Sequence, residues 1–552
     1  MAGFLDPAFL LDLGPNQFPR QIERLLWHIG FIDVVNIDGP GDEGGDLLGK
    51  YKGHDWVLQC KWKRRGAVGA NAIDEVARAR DAYRVGRAAV VTNTRFSSDA
   101  IRRADQLALL GRRIQLWPGL TVQRAFEEAT GRFGEVRLRP YQERAKDRLI
   151  YDLDDTGRAL LILATGLGKT VVSGEVILDH LARFPNDQVL VVAHTKDLVD
   201  QLERALWRHL PKAVKTRILT GEERPDDLDG VTCATLASAL YVVRRGYQPG
   251  LVVVDEAHHV GENGQYAELL QASDARQMGV TATPWRGDDY DITNRFGPAS
   301  YRVGIEAGMR KGYLSQVDYR LYVDNIDWSI VRSVSRHSYS LGELNSKLFI
   351  PQRDEAIRDE LATVWGSVVR PRALVFCRTV EHAERMADIL SRNARWSSAL
   401  AVHAELHKRE RLSRLLAFRS GNVPILTSVD ILNEGVDVPD VNIICFARVT
   451  HSRRIFVQQL GRGLRLREGK DYVTVLDFVS DLRRIAAMLN IKRELETGNV
   501  EVLAQAGRSK IEFSDQRVGS LMNEWIKDAA DLETAYDETR LQFPDPLISP
   551  DW

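Results

Sequence analysis

At 552 residues the chain is too long for a single hydrophobic core, and several domains are expected. Its 44% hydrophobic and 27% charged residues describe an ordinary globular protein, and Lys+Arg 75 against Asp+Glu 76 leaves a net charge of −1. That balance excludes an overall basic field, although a locally positive cleft is enough to hold phosphates. Cys60, Cys233, Cys377 and Cys445 are scattered singly, which fits neither a disulfide frame nor a zinc knuckle and points to a reducing cytosol. No basic segment precedes an apolar run and no stretch is long and apolar enough to span a bilayer, so a cytoplasmic location without membrane contact is expected.

From Gln17 to about Pro118 the pattern runs helix (QIERLLWHIGF), hairpin (46–62), helix (AIDEVARARDAYRVG), strand (RAAVVTN), helix (DAIRRADQLALLG) and strand (RIQLW). A second unit opens at Arg139 with short, continuously apolar strands at 159–163, 188–193, 250–257 and 277–283. A third repeats the style at 372–378, 398–403, 423–428, 441–447 and 472–478. Apolar strands alternating with helices mark parallel sheets covered on both faces. The segment 301–350 reads as connector and strand pairing, and the chain beyond 485 reads as helical and polar. The domains expected are therefore 1–125, 126–300, 301–350, 351–485 and 486–552.

Within the first unit, a tight turn at Gly53-His54 would pair Tyr51 with Trp56 and, by the same register, Asp46 with Lys61. Residues two apart on a strand share a face, so Asp46, Gln59 and Lys61 converge on one side while Trp56, Leu58, Cys60 and Trp62 face a core. Asp46 and the amide oxygen of Gln59 could ligate Mg²⁺, with Lys61 positioning a nucleophile for phosphodiester chemistry. The bland alternative is the wet face of an amphipathic strand, and from this stretch alone it is preferred.

"LLILATGLGKT" sets Gly166 and Gly168 between an apolar strand and a helix opening at Lys169. Glycines let backbone N–H groups close around phosphates, Lys169 would reach the β and γ phosphates, and Thr170 would ligate Mg²⁺. "LVVVDEAHH" places Asp255 and Glu256 at the C-terminal end of another buried strand, where open parallel sheets bind ligands. Asp255 can hold the Mg²⁺ and Glu256 can orient or deprotonate the attacking water. Arg462 and Arg465, three apart, share a helix face and could act as arginine fingers on a γ-phosphate.

Between 139 and 480 the chain resembles superfamily 2 helicases of the DEAH-bearing group that includes restriction-enzyme motor subunits. "RPYQERA" carries Gln142 as the adenine contact, "ATGLGKT" (164–170, with Thr165) motif I, "DEAH" (255–258) motif II, and "TATP" motif III with Thr281 and Thr283 as coupling residues. "VFCRT", "TSVDILNEGVDVPDV" with Gly435 and Asp437 near the nucleotide, and "QQLGRGLR" follow as motifs IV to VI. The resemblance implies two RecA-like lobes using ATP and Mg²⁺ on DNA, duplex or single-stranded. Thr195 and Thr235 stand where the family's first lobe touches the strand, and they read equally well as N-caps or turn residues.

Residues 17–118 resemble the Mrr-type branch of the PD-(D/E)xK nucleases, on "GDEGGDLLG", "WVLQCKW" and "AAVVTNTRFSSDAIRRA". The resemblance implies a restriction-endonuclease-like α/β domain with Asp46, Gln59 and Lys61 catalytic, and it reverses the preference for the bland reading. Pro19 stands where an acidic residue usually follows the Phe of the opening helix; whether Glu23, one turn on, replaces it stays open. The whole is expected to be an α/β protein, nuclease domain first, then two lobes and a helical tail. No recognition domain is visible, which leaves target choice to the DNA's state or to partner proteins.

Overall fold

The computed structural model describes residues 10, 13–37, 44–133, 136–282, 290–323, 325–326, 338–340, 349–350, 354–396, 398–429, 441–447, 472–479 and 540–542. These fall into two compact units, one drawn from 1–161, 170–280 and 292–301 and the other from 162–169, 281–291 and 302–552.

The N-terminal part starts with helix α1 (Gly14–His28), followed by strands β1 (Ile32–Asn36), β2 (Leu47–Tyr51) and β3 (His54–Lys61). Helix α2 (Asn71–Ala82), strand β5 (Arg87–Thr92), helix α3 (Ser98–Leu109), strand β7 (Ile114–Trp117) and helix α4 (Gly119–Glu128) complete it, with β4 (Ala67–Val68) and β6 (Arg95–Phe96) as a short side ladder. The five-stranded sheet has the order β1-β2-β3-β5-β7, antiparallel through the hairpin and parallel from β3 onward. Phe18, Ile22, Leu25 and Leu26 of α1 bury against Trp56, Leu58 and Cys60 of β3. Val57, Gln59 and Lys61 alternate onto the opposite face, where α2 lies: a Cβ on Gly45 would stand 2.7 Å from Val57 and 3.1 Å from Ala79 of α2.

The hairpin register differs from the sequence expectation. Tyr51 pairs with His54 and Leu47 with Leu58, so the turn residues are Lys52 and Gly53. Both have positive φ (48° and 78°), as a two-residue primed turn requires to match the strands' right-handed twist. The register is shifted by two residues, which moves Asp46 from opposite Lys61 to beside Gln59 and Cys60 but keeps every side chain on its expected face.

Helices α5 (Pro140–Asp155), α6 (Lys169–Arg183) and α7 (Lys196–Trp207) accompany a seven-stranded sheet. Its strands are β8 (Arg158–Leu163), β9 (Val189–Ala193), β10 (Thr216–Leu219), β11 (Val231–Thr235), β12 (Leu251–Asp255), β13 (Arg276–Thr281) and β14 (Tyr301–Val303), in the order β10-β11-β9-β12-β13-β8-β14. The β10-β11, β11-β9, β9-β12 and β12-β13 pairs are parallel. The strands are apolar throughout because helices cover both faces.

The last sheet contains β15 (Gln316–Val323), β19 (Ala373–Cys377), β20 (Ala399–Val402), β21 (Ile425–Ser428), β22 (Ile443–Ala447) and β23 (Tyr472–Val479), ordered β15-β23-β22-β19-β21-β20 and parallel at every pair. Part of the 301–350 segment thus supplies an edge strand. Two short antiparallel ladders join β16 (Asn325–Ile326) to β18 (Phe349–Ile350) and β17 (Ser338–Ser340) to β24 (Arg540–Gln542).

Candidate functional site

On the N-terminal sheet, Asp46 and Gln59 are each only 4% exposed. The Asp46 N–H donates to Leu58 O at 2.8 Å, tying the residue to β3. Its Oδ2 accepts from Gln59 Nε2 at 2.9 Å and from the Cys60 backbone N–H. With Nε2 used this way, Gln59 Oε1 is left as the acceptor of the amide, and this buried oxygen has no hydrogen-bond partner among the described residues. A buried carbonyl oxygen without a donor costs free energy unless something cationic meets it. An oxygen-only set of that kind fits a hard divalent cation. Lys61, at the end of β3, is half-buried, with Nζ 2.6 Å from Glu75 Oε2 of α2.

Glu23 does not reach this face. It is 2% exposed and its Oε1 accepts from Arg204 Nε of α7 at 2.8 Å. It belongs to a seam between α1 and α7 that sequence reasoning missed. Arg20 donates to Asp200 and Glu203 at 2.9–3.0 Å and lies 3.4 Å from Glu223. Burial pulls its pKa down, but the three surrounding carboxylates more than offset this and hold it above the usual arginine value. Arg24, fully buried, donates to Val214 O at 2.9 Å and Pro211 O at 3.1 Å; burial drives its pKa down to about 9 against the smaller pull of Glu203. Lys212 Nζ caps the far end of α4 through the carbonyls of Phe126, Glu127 and Ala129 at 2.8–3.0 Å. Little in the sequence signals it, because Arg20, Glu23 and Arg24 stand on the face of α1 away from Phe18, Ile22, Leu25 and Leu26, where charges read as a solvated face.

In the nucleotide region, β8 leads into a loop in which Ala164 N–H donates to Val303 O (2.9 Å) and Leu167 N–H to Ala164 O (3.1 Å). Gly166 and Gly168 take φ of +90° and +84°, and α6 opens directly at Lys169. Thr165, Lys169 and Thr170 are half-buried there. Thr170 and Asp255 line one small cavity together with Ser173 and Val280, so the two candidate Mg²⁺ ligands are neighbours. Glu256 follows Asp255 with φ +49°, an uncommon backbone for a residue with a Cβ, and its Oε2 lies 3.2 Å from the Nδ1 of the buried His258. His259 lies between His258 and His194 with its ring tilted to both, the centroids 4.3 and 4.6 Å away. This imidazole row under the DEAH turn had a signal, "AHT" and "AHH" after two strands that prove adjacent, but no role was read from it.

Gln142 is 6% exposed, and its Oε1 accepts from the Arg139 N–H at 2.9 Å, closing the first turn of α5. Thr281 is fully buried at the end of β13. Thr195 Oγ1 accepts from Leu198 N–H at 3.3 Å, an N-cap for α7, whereas Thr235 bonds Ser238. Thr283, Gly435, Asp437, Arg462 and Arg465 lie outside the described residues.

Comparison with known proteins finds matches to three segments of the chain. Residues 10–126 match the Mrr catalytic model, described as a restriction endonuclease; 135–286 match the type III restriction enzyme res subunit; 352–467 match the helicase conserved C-terminal domain. A Schizosaccharomyces pombe protein named as a mitochondrial ATP-dependent helicase, irc3, is 29% identical over 387 residues, which span 67% of this chain and 61% of that one. The Escherichia coli type I restriction enzyme EcoAI endonuclease subunit is 24% identical over 418 residues, 67% of this chain and 50% of its own. The chain thus spans between half and two thirds of the length of these relatives. In fold it is similar to the ATP-dependent type ISP restriction-modification enzyme LlaBIII bound to DNA, with a TM-score of 0.50 and 18% identity over 87% of this chain and 38% of that one. Residues 135–286 and 352–467 are thus similar to the two motor segments of superfamily 2 helicases, and residues 10–126 to an Mrr-type restriction-endonuclease domain.

Proposed function

We propose that the protein is an ATP-dependent DNA translocase or helicase that also cuts DNA in an Mg²⁺-dependent manner, within a restriction or anti-phage defence system of the cytoplasm. The observation that carries the reading is the pairing of Asp46 with Gln59, whose buried Oε1 has no donor among the described residues, in the same chain as a glycine loop and a DEAH turn. The matched restriction and helicase models support three of the five expected parts, 1–125, 126–300 and 351–485.

In the nuclease domain Asp46 and Gln59 Oε1 would hold Mg²⁺, and Lys61 would position the attacking water. When bound, the cation neutralises phosphate charge and acidifies water. In the motor, the loop from Thr165 to Gly168 would wrap the phosphates with backbone N–H groups and Lys169 would balance their charge. Thr170 and Asp255 would hold the nucleotide's Mg²⁺. Glu256, steadied by His258, would take the water's proton, with Gln142 at the base, Thr281 and Thr283 as couplers, and Gly435, Asp437, Arg462 and Arg465 closing from the second lobe.

Incubation with plasmid DNA and Mg²⁺, with and without ATP, tests the whole. Asp46→Ala or Lys61→Ala should abolish cleavage and spare ATP hydrolysis, and Glu256→Gln should abolish nucleic-acid-stimulated hydrolysis while ATP still binds. Wild-type protein that never nicks DNA would replace the reading with that of a repair or remodelling helicase whose first domain only binds. Hydrolysis stimulated by RNA and not by DNA would make it an RNA helicase.

A further inference from the structure

We infer that Glu75 of α2 is a further metal-ligating catalytic carboxylate of the nuclease centre, supplying the acid that α1 does not. The inference rests on the nuclease reading of Asp46, Gln59 and Lys61 and extends it.

The opening helix has no acid to give. Pro19 occupies the expected position, and Glu23 is turned away from the sheet's catalytic face and bonded to Arg204. The opposite face is covered by α2, and there Glu75 meets the site from two directions. Its carboxylate is 2.6 Å from Lys61 Nζ. Its backbone carries the chain that leads into Asp46: a Cβ on Gly44, two residues before Asp46, would stand 2.7 Å from Glu75 Cβ and 2.9 Å from its Cα and carbonyl oxygen. Gly44, at φ +84°, is therefore the residue that allows β2's approach and α2 to touch at Glu75.

A lysine–glutamate pair alone would be an ordinary ion pair. The independent sign of a ligand is Gln59, 96% buried by the complement of its 4% exposure, whose Oε1 meets no donor among the described residues. Asp46 and Gln59 together give one charge and one neutral oxygen, a thin donor set for Mg²⁺. Glu75 raises it to two carboxylates and an amide. Glu75 would exchange the Lys61 ammonium for the cation, and Lys61 Nζ, released from its partner, would hold the attacking water. In the absence of metal the two side chains neutralise one another, so the centre carries no unpaired lysine into its own resting state.

The test is Mn²⁺ binding to the full chain without nucleotide, followed by electron paramagnetic resonance, alongside plasmid nicking. Wild type should bind Mn²⁺ and Asp46→Ala should lose that binding. Glu75→Gln should weaken it roughly tenfold or more and stop nicking, while Glu75→Asp retains part of it. Lys61→Met should bind at least as tightly as wild type, because the competing ammonium is gone, yet not cut. A wild-type circular dichroism spectrum and melting temperature verify that each variant is folded. Glu75→Gln with wild-type Mn²⁺ affinity, in a protein whose Asp46→Ala variant has lost it, overturns the role of Glu75 and leaves the nuclease reading standing. Wild-type protein that binds no Mn²⁺ overturns the nuclease reading itself.

Discussion

Gly44 shows how a single backbone position controls the candidate nuclease centre. A methyl group there would collide with the Glu75 backbone, and φ +84° is unfavourable for any residue with a Cβ. Gly44→Ala should destabilise the N-terminal domain by about 2–4 kcal/mol, visible as a lower melting temperature. Gly53, also at positive φ but with nothing within 4 Å of where a Cβ would stand, should cost less when changed to Asn, a residue that tolerates this backbone. His28, at the end of α1, offers a pH test. Its imidazole is driven down to about 4, first by burial and then by the nearby Arg24 cation, against an ordinary value of 6.5. The folded chain keeps it neutral where the unfolded chain would take a proton. Its contribution is complete above pH 6.5 and is lost as pH falls through 4. The stability gap between wild type and His28→Gln should therefore narrow on acidification from pH 7 to pH 4; a gap constant across that window would refute the assignment.

At the scale of elements, α1 does two jobs with two faces. Phe18, Ile22, Leu25 and Leu26 build the nuclease core, while Arg20, Glu23 and Arg24 bury against α7 and the loop after it. Arg20→Met would strand Glu203, which is fully buried and already has its pKa raised by that burial despite Arg20. The expected loss is about 3–5 kcal/mol in a denaturant titration, because a buried charge deprived of its partner is costly. Arg20→Met combined with Glu203→Gln should recover part of it, and a double variant no better than the single would show that the two do not couple. Much of this scale could be read beforehand. Apolar runs and periodic helices located the parallel strands, and the alternation in "WVLQCKW" put Gln59 and Lys61 on one face. What could not be read was pairing across distance. Lys61 with Glu75, Glu23 with Arg204 and Arg20 with Glu203 join residues 14, 181 and 183 positions apart. A chain without its fold gives no sign of which charges will meet. The hairpin slipped by two for a local reason, since Lys52 and Gly53 take the two positive φ values of the turn, which the sequence reading had placed at Gly53-His54.

For the molecule as a whole, a net charge of −1 hid several locally organised charges, and the domains announced themselves by motif rather than by composition. The seam between α1 and α7 has a mechanical consequence. Asp46 and Asp255 lie in one compact unit, within which buried ion pairs join α1 to α7. The candidate nuclease centre would therefore share one frame of reference with Asp255, like a blade bolted to its carriage. Cleavage positions mapped at a roadblock to the motor should fall in one narrow window at a constant offset. Arg20→Met should broaden that window, and an equally narrow window in that variant would show that the blade is held by something else.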